Sequence, residues 1–401
     1  MKELKLIFLL LINVAAFGQN MRPNQAIFTA PPTKIPSNCS TDAPLLGNGD
    51  LLAAMGGSAE RLQFYLGKAD LWELKPNGGP CALGRLDINL EGMQGASYLV
   101  TQDLKQAITH GEFHKNGLTL KVETAVAATE NLMWVKLETT GGEIHGDARL
   151  AAISTTVVAD PQLIERHYEK GRNGVLRSTG AACALRVFGG DAAGFTIAPG
   201  KPVVLVITAS GLANIADYQA DAVHRTLQTS MASLNLLKKA HNAWWAHFWS
   251  RSFVEIPDKA LEQRYYLSHY CMASVSRLSH FPPGLFGWTL SEQTPQWGGA
   301  YFNNYNFFAP FYGLYAANHI EQAMPCNDAV IDAIELGRDC ARNEGKYETM
   351  CSNSELLQMK DGVLFPVSIL PYGVAGAPTT WGQRSNASYA CLPLASTWYA
   401  T

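Results

Sequence analysis

Residues 297–306 read Trp297-Gly-Gly-Ala-Tyr301-Phe-Asn-Asn304-Tyr-Asn306. They lie inside a longer run, 284–319, that opens on Gly-Leu-Phe-Gly-Trp288 and closes on Asn318-His319. This run is the chain's densest in aromatics and carboxamides. Asn304 and Asn306 are two apart, so on an extended segment they point the same way. Two carboxamides on one face offer donors and acceptors together, enough to hold a water or a sugar hydroxyl. Trp288, Trp297, Tyr301 and Tyr305 add flat apolar faces with polar edges, which suit the C–H surface of a sugar ring. The plain alternative is a buried aromatic core in which the Asn side chains cap turns or helices.

Composition narrows the context. The chain has 401 residues, enough for two or three domains; 47% are hydrophobic and 16% charged, so a sizeable core is expected and disorder is not. The net charge of −3 gives no reason to expect a nucleic-acid partner or an anionic membrane surface. The 9 Trp and 15 Tyr fit a carbohydrate-handling surface and fit a large core equally well. The eight cysteines, at 39, 81, 183, 271, 326, 340, 351 and 391, form no Cys-x-x-Cys. Cys326, Cys340 and Cys351 are close enough in sequence to pair, though buried thiols explain them as well. His110 and His114 fall in β territory, and neither a metal site nor a cofactor is expected.

Residues 1–18 read as a secretory signal peptide: Lys2 and Lys5, the apolar run Leu6–Ile12, then the small-x-small site Ala16-Phe17-Gly18. The apolar run is too short to span a bilayer, so a secreted or periplasmic protein without a transmembrane segment is expected. Residues 19–220 read as an antiparallel β-domain, beginning with a Pro/Thr/Ser-rich connector at 21–40. Apolar and polar residues alternate at Leu86–Leu90, Leu118–Val122 and Met133–Leu137, separated by turn residues. Within Leu62–Glu73, alternation puts Lys68, Asp70 and Trp72 on one side of a strand, as a polar rim to a pocket or as an ion pair at a strand end.

Residues 221–257 form a helical linker, with one helix over Asp221–Lys239 and an aromatic joint at Trp244–Phe253. From 258 to 401 the period is helical. Asp258 caps a helix expected to run to about His280, where Pro282-Pro283 ends it; another is expected over Asn327–Asn343. Residues 344–383 read as a loop-rich insertion. Trp381-Gly-Gln383-Arg-Ser-Asn386 then leads into a last helix with Ser385 as its cap.

Five segments, Leu62–Glu73 with its Phe-Tyr-x-Gly-Lys-x-Asp-x-Trp among them, resemble glycoside hydrolase family 95, the fucosidase-type enzymes. Trp297, Gly299, Tyr301, Asn304 and Asn306 match the family's Trp-x-Gly-Asp-Tyr-x-x-Asn-x-Asn; Ala300 replaces the usual Asp and Phe302 a frequent His. Gly47-Asn-Gly-Asp50, the Trp244–Phe253 joint and Gly382-Gln-Arg-Ser-Asn-Ala387 are similar to the family's N-terminal, inter-domain and pre-helix patterns. The resemblance implies an N-terminal antiparallel β-sandwich (supersandwich) followed by a partial (α/α)6 barrel. Residue 284–319 would be a long active-site loop between its first two helices.

It also implies inverting hydrolysis of oligo- or polysaccharides of plant or host origin. Asn304 and Asn306 would position the water. Trp288, Trp297, Tyr301, Gln383, Asn386, Lys68, Asp70 and Trp72 would line the substrate site. The family's general acid falls at Ser396 in an ungapped reading, and its base would follow Thr401; Glu292 and Asp328 are the acids nearest the motif. The chain is therefore expected to hold about the first half of such an enzyme and to be inactive alone. A non-catalytic glycan-binding protein, and a phosphorylase or lyase on the same architecture, are the alternatives.

Overall fold

The period-two alternation of the first half builds two large antiparallel sheets. A computed structural model describes residues 24–152, 158–159, 162–285, 295–342, 362–377 and 383–401. The expected signal peptide, Trp288, Glu292, Cys351 and Trp381 lie outside the described residues. The larger sheet has the order Gln25–Phe28, Leu99–Asp103, Ile108–Lys115, Leu118–Val126, Leu132–Thr140, Val203–Gly211, Thr179–Phe188, Gln162–Tyr168, Val158–Ala159. The second runs Gly190–Asp191, Gly194–Ile197, Ile144–Ala152, Pro80–Leu90, Arg61–Trp72, Leu51–Ser58, Leu45–Gly47. One hydrophobic cluster draws from both, with Phe64, Leu86 and Ile88 of the second sheet beside Phe113, Val122, Trp134 and Leu205 of the larger. The alternation has an exception at Asp87, which is fully buried; Arg61, Arg85 and Gln63 all donate to it, so its charge is compensated in place. The supposed connector 21–40 contains a strand, Gln25–Phe28, paired with Leu99–Asp103.

Helices follow. The helix expected over Asp221–Lys239 is two, α1 (Tyr218–Gln228) and α2 (Met231–Ser250). Ser230 and Ser233 form a capping box that starts α2 afresh, with Ser233 N–H donating to Ser230 Oγ at 3.1 Å. The aromatic joint is the end of α2: Trp245, Phe248 and Trp249 are buried against Tyr266 and Tyr270 of α3 (Lys259–Val275) and Leu104 and Ala128 of the β region. Asp258 caps α3 as read, accepting from Ala260 and Leu261 N–H at 3.0 and 3.1 Å. The helix ends at Val275, short of His280. There Gly49 N–H donates to the Ser274 carbonyl at 2.7 Å, so the turn 47–50 caps it from outside.

The expected loop over 284–319 gives way to a helix in its last third. Tyr305–Ala316 is α4, with Phe307, Phe308, Phe311 and Leu314 in the core. The helix expected over Asn327–Asn343 begins earlier and breaks at Ala333, giving α5 (Ile320–Asp332) and α6 (Ile334–Arg342). The last helix, α7 (Asn386–Ala400), packs with α4 and α5. The supposed insertion supplies Ser368–Leu370 and Val374–Ala377, which with Tyr301–Phe302 make a small antiparallel sheet.

No helix among the described residues is long and apolar enough to cross a membrane. Cys326 and Cys340 are both buried, and Cys326 forms no disulfide. No group of three or more His, Cys, Asp or Glu among the described residues could hold a metal ion. His114 instead lies 2.9 Å from Glu112.

Candidate functional site

Two distant parts of the chain meet backbone to backbone beside the aromatic motif. After strand Arg61–Trp72 comes Lys75-Pro-Asn77-Gly-Gly79-Pro80, dense turn chemistry. Asn77 N–H donates to the Gly376 carbonyl. A Cβ on Gly79 would lie 1.8 Å from the Gly298 carbonyl oxygen, so only glycine permits this approach. On the motif's side, Gln296 N–H donates to Asn38 O at 2.7 Å, and Trp297 holds a left-handed backbone (φ 55°) that a non-glycine residue rarely adopts.

The seam leaves a cleft of ≈ 260 Å³ lined by Asn77, Trp297, Ala300, Phe302, Ser368 and Gly376, among others. Trp297 is 61% exposed and packs its ring 5.8 Å from that of Phe302, so one indole face is open to solvent. Sequence reading missed Asn77, Ser368 and Gly376. Only the Pro-Asn-Gly-Gly-Pro turn carried a signal, and it marks a loop, not a site.

The carboxamides gather at the start of α4. Asn304 Nδ2 donates to Gln383 Oε1 at 3.5 Å, joining two residues singled out separately. Asn303, not singled out, is fully buried and donates from Nδ2 to the Pro366 carbonyl at 3.0 Å. Asn304 Oδ1, Asn303 Oδ1 and Asn386 Nδ2 are buried with no hydrogen-bond partner among the described residues. Unsatisfied buried amide groups are costly and point to a polar occupant. Asn304 and Asn306 do not alternate on an extended segment: Asn304 precedes the helix as its N-cap residue and Asn306 is exposed in its first turn. The helix begins right at the motif, so a strand's period does not apply.

Three further candidates are structural. Tyr301 is fully buried, its ring 5.1 Å from Trp72 and its hydroxyl donating to the Pro282 carbonyl at 3.0 Å. Trp72 is likewise buried and donates from Nε1 to Ala69 O at 2.7 Å. Both rings serve the core, because the side of the strand that carries Trp72 is covered by the motif and not by solvent. Lys68 is buried too. Its ammonium donates to Asp50 and, at 2.8 Å, to Asp70 Oδ1, while Asn131 Nδ2 holds the other Asp50 oxygen at 2.6 Å. Although burial disfavours the charged ammonium, the two carboxylates raise its pKa above the usual lysine range. Lys68 is thus an internal ion pair and no rim. Burial raises the Asp70 pKa, Lys68 and Asp50 acting against and with it respectively.

Asp328 accepts from Ser279 Oγ at 2.7 Å, and Ser396 lies on α7. No carboxylate is found among the described residues that line the Trp297 cleft.

No family model matches the sequence, and no curated protein does. Solved structures resemble the fold. A protein from the human microbiome described as a kojibiose phosphorylase superposes with a TM-score of 0.58 at 11% identity, over 94% of this chain and 55% of that one. A bacterial glucoamylase complexed with acarbose gives 0.44 at 8% identity, over 78% of this chain and 54% of that one. A family GH92 α-mannosidase from Bacteroides thetaiotaomicron gives 0.28 at 11% identity, over 80% and 55%. The last two overlays are too loose to argue from. The first shows a shared fold of mixed β and α, with antiparallel sheets followed by helices, and this chain spans about half (55%) of that protein's length.

Proposed function

We propose that the chain belongs to a glycan-acting enzyme of the glycoside-hydrolase type, similar to family 95. Residues 19–220 would form its β-sandwich, 221–257 a helical linker, and 258–401 the first part of an (α/α)6 barrel. The observation that carries the reading is the contact between Asn304 and Gln383, with unpartnered buried amide atoms on Asn303, Asn304 and Asn386 close by in the chain. These groups suit a water or sugar hydroxyl, and the exposed Trp297 face suits a sugar ring. Residues 1–18 would direct the protein to the periplasm or outside the cell.

In an inverting hydrolysis, Asn304 and Asn306 would hold the attacking water opposite the leaving oxygen. A general acid and a base roughly 6.5–9.5 Å apart would complete the site. The described cleft residues supply amides, a hydroxyl and aromatic surface, so both carboxylates would come from elsewhere in the protein. A second reading, phosphorolysis, is favoured by the overlay on the protein described as a kojibiose phosphorylase. There phosphate would take the place of the water.

The test is a turnover assay on fucosylated, galactosylated and pectic oligosaccharides, with and without inorganic phosphate, for the protein and Asn304→Ala. Free sugar released independently of phosphate, and lost in the variant, supports hydrolysis. Sugar phosphate supports phosphorolysis. Glycan binding without turnover makes the protein a carbohydrate-binding one, and turnover undiminished in Asn304→Ala removes the motif from the mechanism.

A further inference from the structure

A second crevice, of ≈ 280 Å³, opens where the β region meets the helical part, lined by Asp70, Arg177, Thr179, Leu212, Phe281 and Tyr372 among others. It shares no lining residue with the Trp297 cleft. Its floor carries a carboxylate only half used: Lys68 takes Asp70 Oδ1 at 2.8 Å, while Oδ2 is buried without a hydrogen-bond partner among the described residues. Asp70 is 2% exposed. Room for that oxygen depends on Gly211, where a Cβ would lie 2.1 Å from Oδ2. At the mouth, the Arg177 guanidinium carbon stands 3.4 Å from the centroid of the Tyr372 ring. Tyr372 has a left-handed backbone (φ 61°), rare for a bulky residue, and Phe281 meets its ring edge-on at 5.2 Å. Arg177 shows no ion pair among the described residues, so its forked donors are open to a ligand.

We propose that this crevice binds a single neutral sugar ring, one hydroxyl donating to Asp70 Oδ2 and another oxygen accepting from Arg177, with Leu212 and Phe281 against the ring's apolar surface. Size argues for one ring, since the volume lies just below the roughly 300–1,000 Å³ of drug-sized pockets. Charge argues for neutrality. The two charged residues that line the crevice, Asp70 and Arg177, are of opposite sign and cancel. A hydroxyl both donates to a carboxylate and accepts from a guanidinium, and a sugar carries several on one compact ring. The inference does not depend on the enzymatic reading above, since an accessory sugar site is possible on a catalytic or a non-catalytic protein.

The test is calorimetric titration of the full chain with D-galactose, D-glucose, L-fucose and D-galacturonate. At least one neutral sugar should bind saturably in the millimolar range. Arg177→Ala and Ala213→Trp, both at exposed positions, should each weaken that binding at least tenfold, with melting temperatures near wild type. Saturable binding of that sugar should persist in Trp297→Ala, which acts on the other cleft. The proposal is overturned if no neutral sugar saturates, if galacturonate binds more tightly than every neutral sugar, or if both crevice variants bind as wild type. Binding abolished by Trp297→Ala but kept in the crevice variants would place the sugar in the other cleft and overturn it equally.

Discussion

Asn304 Nδ2 reaches Gln383 Oε1 at 3.5 Å across 79 positions of sequence. The bond consumes one donor of Asn304 and leaves its Oδ1 buried and free to accept. If that oxygen orients an attacking water, Asn304→Ala should lower turnover by at least tenfold, and Gln383→Ala should do so less. Neither should shift the melting temperature by more than a few degrees. Steady-state rates on the substrate found active above provide the check, and equal rates in both variants and wild type would count against the site.

Trp297 and Tyr301 are four residues apart and should separate binding from stability. Trp297 is exposed, so Trp297→Ala should weaken glycan binding by about 1–3 kcal/mol with little change in denaturation midpoint. Tyr301 is fully buried, so Tyr301→Ala should cost about 3–5 kcal/mol of stability, by analogy with other large aromatics. Urea denaturation beside affinity measurement distinguishes them; a destabilised Trp297→Ala would make that indole part of the core.

The Lys68 ion pair offers a third prediction. Lys68→Met removes the cation between Asp50 and Asp70 and leaves the buried Asp70 carboxylate without its ion-pair partner, while half-buried Asp50 keeps the Asn131 amide. A loss of about 3–5 kcal/mol is expected. Raising the pH should worsen the variant, because burial raises the Asp70 pKa and, without Lys68 to oppose it, this carboxyl ionises at a higher pH than in the unfolded chain. Denaturant midpoints at pH 5 and pH 8 test this, and a variant equally stable at both would show that the carboxylates do not need the lysine.

Two buried histidines predict acid sensitivity. His241 Nδ1 accepts the Ala128 N–H at 3.1 Å and Nε2 faces the Gln106 carbonyl at 2.7 Å, so a second proton has no place without breaking a bond. Burial lowers its pKa to about 4. Burial, with His269 and Arg251 nearby, likewise lowers His319 to about 4, its ring stacked 3.8 Å from that of Phe248. The unfolded chain takes up these protons near the ordinary histidine value of about 6.5. Between that value and about 4 it therefore binds more protons than the folded state, and stability rises with pH. The contribution is fully present above pH 6.5 and is lost as the pH falls towards 4. The melting temperature should drop over that window, and less steeply in His241→Gln/His319→Gln. An identical slope in the double variant would assign the acid loss to other groups.

Much of the architecture was legible from periodicity. Alternation at Leu86–Leu90 and Leu118–Val122 announced strands, and Asp258 announced the start of α3. Helix ends were less legible. The α3 carbonyl at Ser274 is taken by Gly49, more than two hundred residues earlier, and Asp221–Lys239 divides at the Ser230–Ser233 capping box. Site residues divided for a similar reason. Alternation told which side of its strand Trp72 occupies, but not that Tyr301 covers that side. Asn303 escaped notice because its role, holding the Pro366 carbonyl, depends on a partner 63 positions away.

The glycine contact between residues 79 and 298 has a consequence for heredity. A loop of the β part and the aromatic loop of the helical part touch through main-chain atoms, with no side chain between them to absorb a mismatch. Swapping either half for a homologue's by gene fusion at the linker would pair loops never fitted to each other. The two loops are thus coupled through their main chains, and the cleft between them takes its shape from both although its walls are encoded more than two hundred codons apart.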